Sequence, residues 1–230
     1  MDHFLIAPAI LYILLGMVIA ALMLAETRLF GHTDSPVSVN RRYILVLLLL
    51  SWLGSYSDIP LAQTPSHGYM AEHEFYFFGI KYSVAAPGTV IAINVGGALI
   101  PIVLSIYLLF KNKLYIASLL GIAAVACTVH LLAAPVPGAG ISVPAFVPGL
   151  ATTIVALLLS RAYAAPLAYV CGSLGTLIGG DLLNLGQVQQ LDTAVASIGG
   201  AGMFDGIFIT GLLAMVLASL ATRGRSLLFR

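Results

Sequence analysis

A chain of 230 residues that is 60% apolar and only 8% charged, with a net charge of +1, is not a soluble domain, because such domains carry roughly 25% charged residues. No basic run offers an electrostatic footprint, so nucleic acid is excluded as a partner. Two cysteines inside apolar segments, Cys127 and Cys171, are packing residues rather than a disulfide or a metal pair.

The sequence is that of an integral membrane protein whose first partner is the lipid bilayer. Each crossing needs roughly 20 apolar residues, so the chain holds about seven helices and no soluble domain. Apolar runs bounded by charges and prolines place them near 4–25, 43–62, 89–110, 114–133, 145–160, 165–186 and 195–220, an all-α bundle forming one domain over 1–230.

The first run, Phe4 to Ala25, lacks a positive n-region and exceeds a signal-peptide core, so it is expected to be a retained helix. Between it and the second helix lie Arg28, Arg41 and Arg42. Lys111 and Lys113 follow the third helix, Arg161 the fifth, and Arg223, Arg225 and Arg230 the seventh. Only Lys81 falls on the opposite side, which by the positive-inside rule predicts an external N-terminus and a cytoplasmic C-terminus.

The 63–88 connection, QTPSHGYMAEHEFYFFGIKYSVAAPG, mixes aromatics, acids and histidines, as an interfacial outer loop does. Its His67, Glu72, His73 and Glu74 are metal-ligand types, but their spacing fits no metal motif; a solvated loop and no metal or cofactor are expected. In the third helix, AINVGGALIPIVLS sets Asn94 beside a glycine pair and Pro101. That combination predicts a kinked tight crossing, with carbonyls offered to an ion as the alternative.

His130 ends the fourth helix, where it either faces the interface or relays protons. The following HLLAAPVPGAGISVPAFVPG, with four prolines, is not a continuous helix and is expected to form a re-entrant wall.

The sixth helix carries LGTLIGGDLLNLG and the seventh SIGGAGMFDGIFITG, each with one acid among apolar residues. Asp181 and Asp205 are each twelve residues from Thr193, so an antiparallel hairpin would set them level, about 10 Å inside its outer end. Gly175-x-x-x-Gly179 and Gly202-x-x-x-Gly206 supply surfaces for close approach. A lone carboxylate at mid-membrane costs on the order of 3 kcal/mol, so each is expected to turn inward to a partner or water. Two facing carboxyls would share a proton, the arrangement of a water-activating dyad. Asn184, Thr176 and Thr210 are alternative partners that would make the acids interhelical glue.

IAINVGGALIPI, PVPGAGISVPAF, GSLGTLIGGDLLNLG and ASIGGAGMFDGIFITG together resemble an uncharacterised prokaryotic family of multi-pass membrane proteins, the domain of unknown function 1614. A second resemblance is to intramembrane aspartyl proteases of the presenilin and signal-peptide-peptidase type. It implies catalytic roles for Asp181 and Asp205. It likens Gly200-Ala201-Gly202 before Asp205 to the Gly-x-Gly-Asp motif with two residues inserted, and Pro144-Ala145-Phe146 to the Pro-Ala-Leu element. Dyad support would come from Gly180, Gly206, Asn184, His130 and Asn94, with a transmembrane or membrane-surface peptide as substrate. The leading expectation is therefore a di-aspartyl intramembrane hydrolase using Asp181 and Asp205; the alternatives are a proton- or cation-coupled transporter or channel using the same acids, and a structural or sensor protein.

Overall fold

The computed structural model describes residues 50–51, 53–63, 70–77, 80–87, 89–136, 140–144, 146–190, 195–200 and 206–223. The expected first helix and Asp205 lie outside them. Among the described residues five complete helices pack together: α1 (Ile100–Asn112), α2 (Tyr115–Leu132), α3 (Val147–Leu159), α4 (Ala164–Thr176) and α5 (Gly206–Arg223). A π-helical turn, Val95–Leu99, leads into α1, and another, Leu177–Asp181, continues α4 before a 3-10 segment, Leu182–Gln190.

Each boundary has a local cause. Pro101 has no N–H to give the carbonyl of Gly97, so the regular ladder cannot close there and the turn widens. Lys113, left-handed at φ 53°, ends α1 and returns its N–H to Leu109. Pro135 stops α2, and Pro148 sits in the first turn of α3, where its missing N–H is not needed.

Among the described residues, three helical spans are long and apolar enough to cross a membrane: Val95–Asn112, Tyr115–Leu132 and Ala164–Gln187. Only the last is mostly buried, 72% against 33% and 28%, so α4 is the axis of the bundle. α1, α2, α3 and α5 all pack on it. Their outer faces leave Val103, Ile106, Leu119, Ile154 and Leu158 exposed, an apolar surface of the kind a bilayer would cover.

Small residues let α4 be surrounded. A Cβ at Gly175 would lie 2.7 Å from Val125 Cβ, and one at Gly179 would lie 2.3 Å from the Ala126 carbonyl oxygen. The Gly175-x-x-x-Gly179 surface therefore seats α2, whereas the sequence suggested it would seat the last helix. α5 meets α4 at Gly172 and Gly211 instead, where a Gly172 Cβ would stand 3.0 Å from Gly211 Cα. Asp181 is nine residues beyond Gly172, and Asp205 six before Gly211. The crossing is thus offset by three residues from the symmetric register read about Thr193.

The described residues are not all-helical. β1 (Asp58–Gln63), β4 (Val90–Asn94) and β7 (Val195–Ile198) form a sheet in the order β1-β4-β7, with β4 and β7 parallel. These segments were expected to be the end of the second helix and the starts of the third and seventh. Pro60 opposes a helix at β1, and β-branched Val90, Ile91, Ile93, Val195 and Ile198 favour strand in short apolar runs whose period cannot separate the two states. The expected 63–88 loop contains a hairpin, β2 (Met70–Phe77) with β3 (Ile80–Pro87), in register from Met70↔Pro87 to Phe77↔Ile80. The proline-rich stretch after α2 contains a second, β5 (Ala134–Val136) with β6 (Gly140–Ser142).

Chain order sorts these features. The described strands lie where α1, α3 and α5 begin and α2 and α4 end. Lys111, Lys113 and Arg161 lie at the opposite end of the helices.

Candidate functional site, a junction of broken helices

Asn94 ends β4 with its side chain fully buried. Its Oδ1 accepts the Gly97 N–H at 2.8 Å, capping the first π turn. Its Nδ2 donates to the Ser55 carbonyl at 2.9 Å and to Asp58 Oδ1 at 3.2 Å. Ser51 Oγ donates to the Gly96 carbonyl, and Ser55 Oγ to the Ser51 carbonyl at 2.7 Å. Gly96 must be glycine, since a Cβ there would stand 1.9 Å from the Ser51 carbonyl oxygen and 2.3 Å from the Ser55 nitrogen.

Asp58 Oδ1 also accepts from Ser197 Oγ at 2.6 Å. Two residues on, the Gly199 N–H donates to Asp181 Oδ2 at 2.8 Å. Gly199 holds φ +88°, and a Cβ on it would come within 2.6 Å of Ala98 Cβ. Gly96-Gly97-Ala98 and Gly199 are thus brought together: the first turn of the one segment rests on the glycine of the other. Ile198 and Ile207 close over this contact with Ala98 and Leu177.

Both helix breaks therefore converge on β7. Asp181, half-buried, ends the second π turn, and Asn184 steadies that turn by donating to the Gly179 and Gly180 carbonyls at 2.9 Å each. Gln187 Nε2 in turn donates to Asn184 Oδ1 at 3.1 Å. Asn94 and Asn184 are the hinges of two separate breaks, and a π turn is a frequent mark of a functional site.

Several anticipated site residues stand elsewhere. His130 is exposed near the end of α2, and Pro144 and Phe146 are exposed between β6 and α3. Gly180 and Gly200 adjoin the junction, the first in the Leu177–Asp181 turn with ordinary contacts to Val129 and Val143, the second following Gly199 with φ +83°, while among the described residues nothing lies within 4 Å of a Cβ at Gly206. Ala145, Gly202 and Asp205 lie outside the described residues. His67 does too, and among the described residues no group of three metal-ligating side chains occurs.

Sequence reasoning missed Ser51, Ser55, Asp58 and Ser197. Reading 43–62 as one helix hid that Ser51, Ser55 and Asp58 recur at three- and four-residue spacing at a helix end, the signal that would have found them.

Asn94→Leu is expected to leave the Gly97 N–H and the Ser55 carbonyl unpaired and to lower stability by about 2–5 kcal/mol. Thermal unfolding in detergent checks this, read as a fall in the midpoint.

A family profile described as "Protein of unknown function (DUF1614)" matches residues 52–217, which is most of the chain. The chain belongs to the DUF1614 family. The match spans Ser55, Asp58, Asn94, Asp181 and Ser197, so the whole described junction except Ser51 lies inside the DUF1614 region. No curated protein and no solved structure matches the chain.

Proposed function

We propose that this DUF1614 protein is a proton- or cation-coupled transporter. In this reading the chain crosses a prokaryotic plasma membrane seven times, with an external N-terminus and a cytoplasmic C-terminus. The placement of Lys111, Lys113 and Arg161 at the end of the bundle away from the sheet supports that orientation.

The observation that carries the function is the meeting of two helix breaks at a carboxylate: the Val95–Leu99 and Leu177–Asp181 turns, joined through Gly199, with Asp181 at their seam. A broken helix inside an apolar bundle exposes backbone groups that substrates and coupling ions use, and an intramembrane acid supplies the charge they need. Ion handling needs a carboxylate at such a seam, and Asp181 accepts the Gly199 N–H there.

Reconstitution into liposomes tests the reading. Under an imposed gradient the purified protein is expected to move protons, Na⁺ or K⁺ faster than empty vesicles. Vesicles no leakier than the controls to all three ions would refute it, and cleavage of a helical peptide under the same conditions would favour the acid-pair hydrolase.

A further inference from the structure

The hydroxyls of the helices fall into two groups. Thr128, Thr152 and Thr153 donate to the carbonyl four residues back, at 2.9, 2.6 and 2.7 Å, the usual way to satisfy a hydroxyl in an apolar helix. Ser105, Ser118, Tyr169, Ser173 and Thr176 are buried and have no hydrogen-bond partner among the described residues. The Ser173 and Tyr169 hydroxyls lie near one another, and neither has a partner on any other described residue.

Three of these five lie on one face of the axial helix. At about 100° per residue, Tyr169, Ser173 and Thr176 fall within about 60° of one another. That face meets α5 at Gly211, which Ser173 Oγ overlies, and α1, where Leu108 packs with Tyr169. Ser105 is one turn before Leu108, so α1 turns a fourth unpartnered hydroxyl to the same seam. A regular helix would carry Asp181 about 140° away from Thr176, but the wider π turn brings it back to within about 50°. The helix break thus sets the carboxylate in line with the hydroxyls. From Tyr169 to Asp181 the row rises about 18 Å, more than half of the hydrocarbon thickness.

Buried polar groups without a protein partner are satisfied by internal water. We propose that the Tyr169–Ser173–Thr176 face of α4, with Ser105 opposite, is a hydrated file that conducts protons between the cytoplasmic half of the bundle and Asp181. The proposal rests on the transport reading and names its ion. Water hydrogen-bonded to successive hydroxyls hands on a proton by forming one O–H bond as the next breaks, so each link gains and loses one proton and nothing is oxidised.

Two measurements test it. Hydroxyl radicals generated in place from water by X-rays are expected to oxidise Tyr169 at a rate comparable with exposed Tyr115. A Tyr169 that stays unmodified means a dry seam and overturns the proposal. In liposomes loaded with a pH-sensitive dye, Tyr169→Phe, Ser173→Ala and Thr176→Val are each expected to cut proton flux by about tenfold. Ser118→Ala removes an equally buried, unpartnered hydroxyl from α2 and is expected to leave flux unchanged. If all three row variants conduct like wild type while Asp181→Asn does not, the file is wrong and the transport reading survives. If Na⁺ or K⁺ moves but protons do not, the file again falls alone; if nothing moves, both fall. Thermal midpoints of the row variants, expected to match wild type, separate lost conduction from lost fold.

Discussion

Gly179→Ala is expected to abolish the folded protein while Gly180→Ala, its neighbour, leaves it nearly unchanged. A Cβ at Gly179 would stand 2.3 Å from the Ala126 carbonyl oxygen and 2.9 Å from both its carbonyl carbon and its Cα. All three are backbone of α2, so relief requires moving a helix rather than turning a side chain. Overpacking of that kind costs typically 1–3 kcal/mol where side chains can yield, and more where they cannot. At Gly180 the nearest atoms are side-chain methyls of Val129 and Val143, at 3.7 and 3.9 Å, which is ordinary contact. Gly211→Ala falls between the two, because its closest obstacle is the rotatable Ser173 hydroxyl. Yield of monodisperse protein and thermal midpoint in detergent should rank the variants Gly180, Gly211, Gly179 from mildest to most severe. A Gly179→Ala variant as stable as wild type would show that α2 does not seat on α4 as described.

Asp181→Asn is expected to keep the fold and lose transport. The asparagine carbonyl oxygen still accepts the Gly199 N–H, so the join between α4 and β7 persists and the midpoint should move by less than about 1 kcal/mol equivalent. What disappears is the charge and the exchangeable proton, and flux should fall to the level of empty vesicles. Asp181→Leu removes the acceptor as well and is expected to cost stability, by about 1–3 kcal/mol, because the Gly199 N–H is left without it. The contrast between the two variants separates the structural role of this carboxyl from its chemistry.

Membrane character, the family and the helical cores of 95–112, 115–132 and 164–187 were legible in the sequence, because unbroken apolar length is a strong signal. The strands were not. Val90–Asn94 and Val195–Ile198 are mostly apolar runs of five and four residues just before helices, and hydropathy reads such runs as the helices' first turn. The glycine-zipper motif on α4 was legible as a packing surface but not as to its partner, since Gly175 and Gly179 look the same whether α2 or α5 covers them. Asp181 and Asn94 stood out as polar residues in oil. Their connection through Gly199, a positive-φ turn between two breaks distant in sequence, depends on tertiary geometry that spacing does not encode.

If an ion passes by way of Asp181, covalent blocking of that carboxyl stops it. An apolar carbodiimide adds to a protonated carboxyl and rearranges to a stable acylurea, which mass spectrometry locates. The adduct is expected on Asp181, absent from Asp181→Asn, with flux through reconstituted protein falling in proportion to the fraction labelled. Full labelling of Asp181 with flux unchanged would contradict the account.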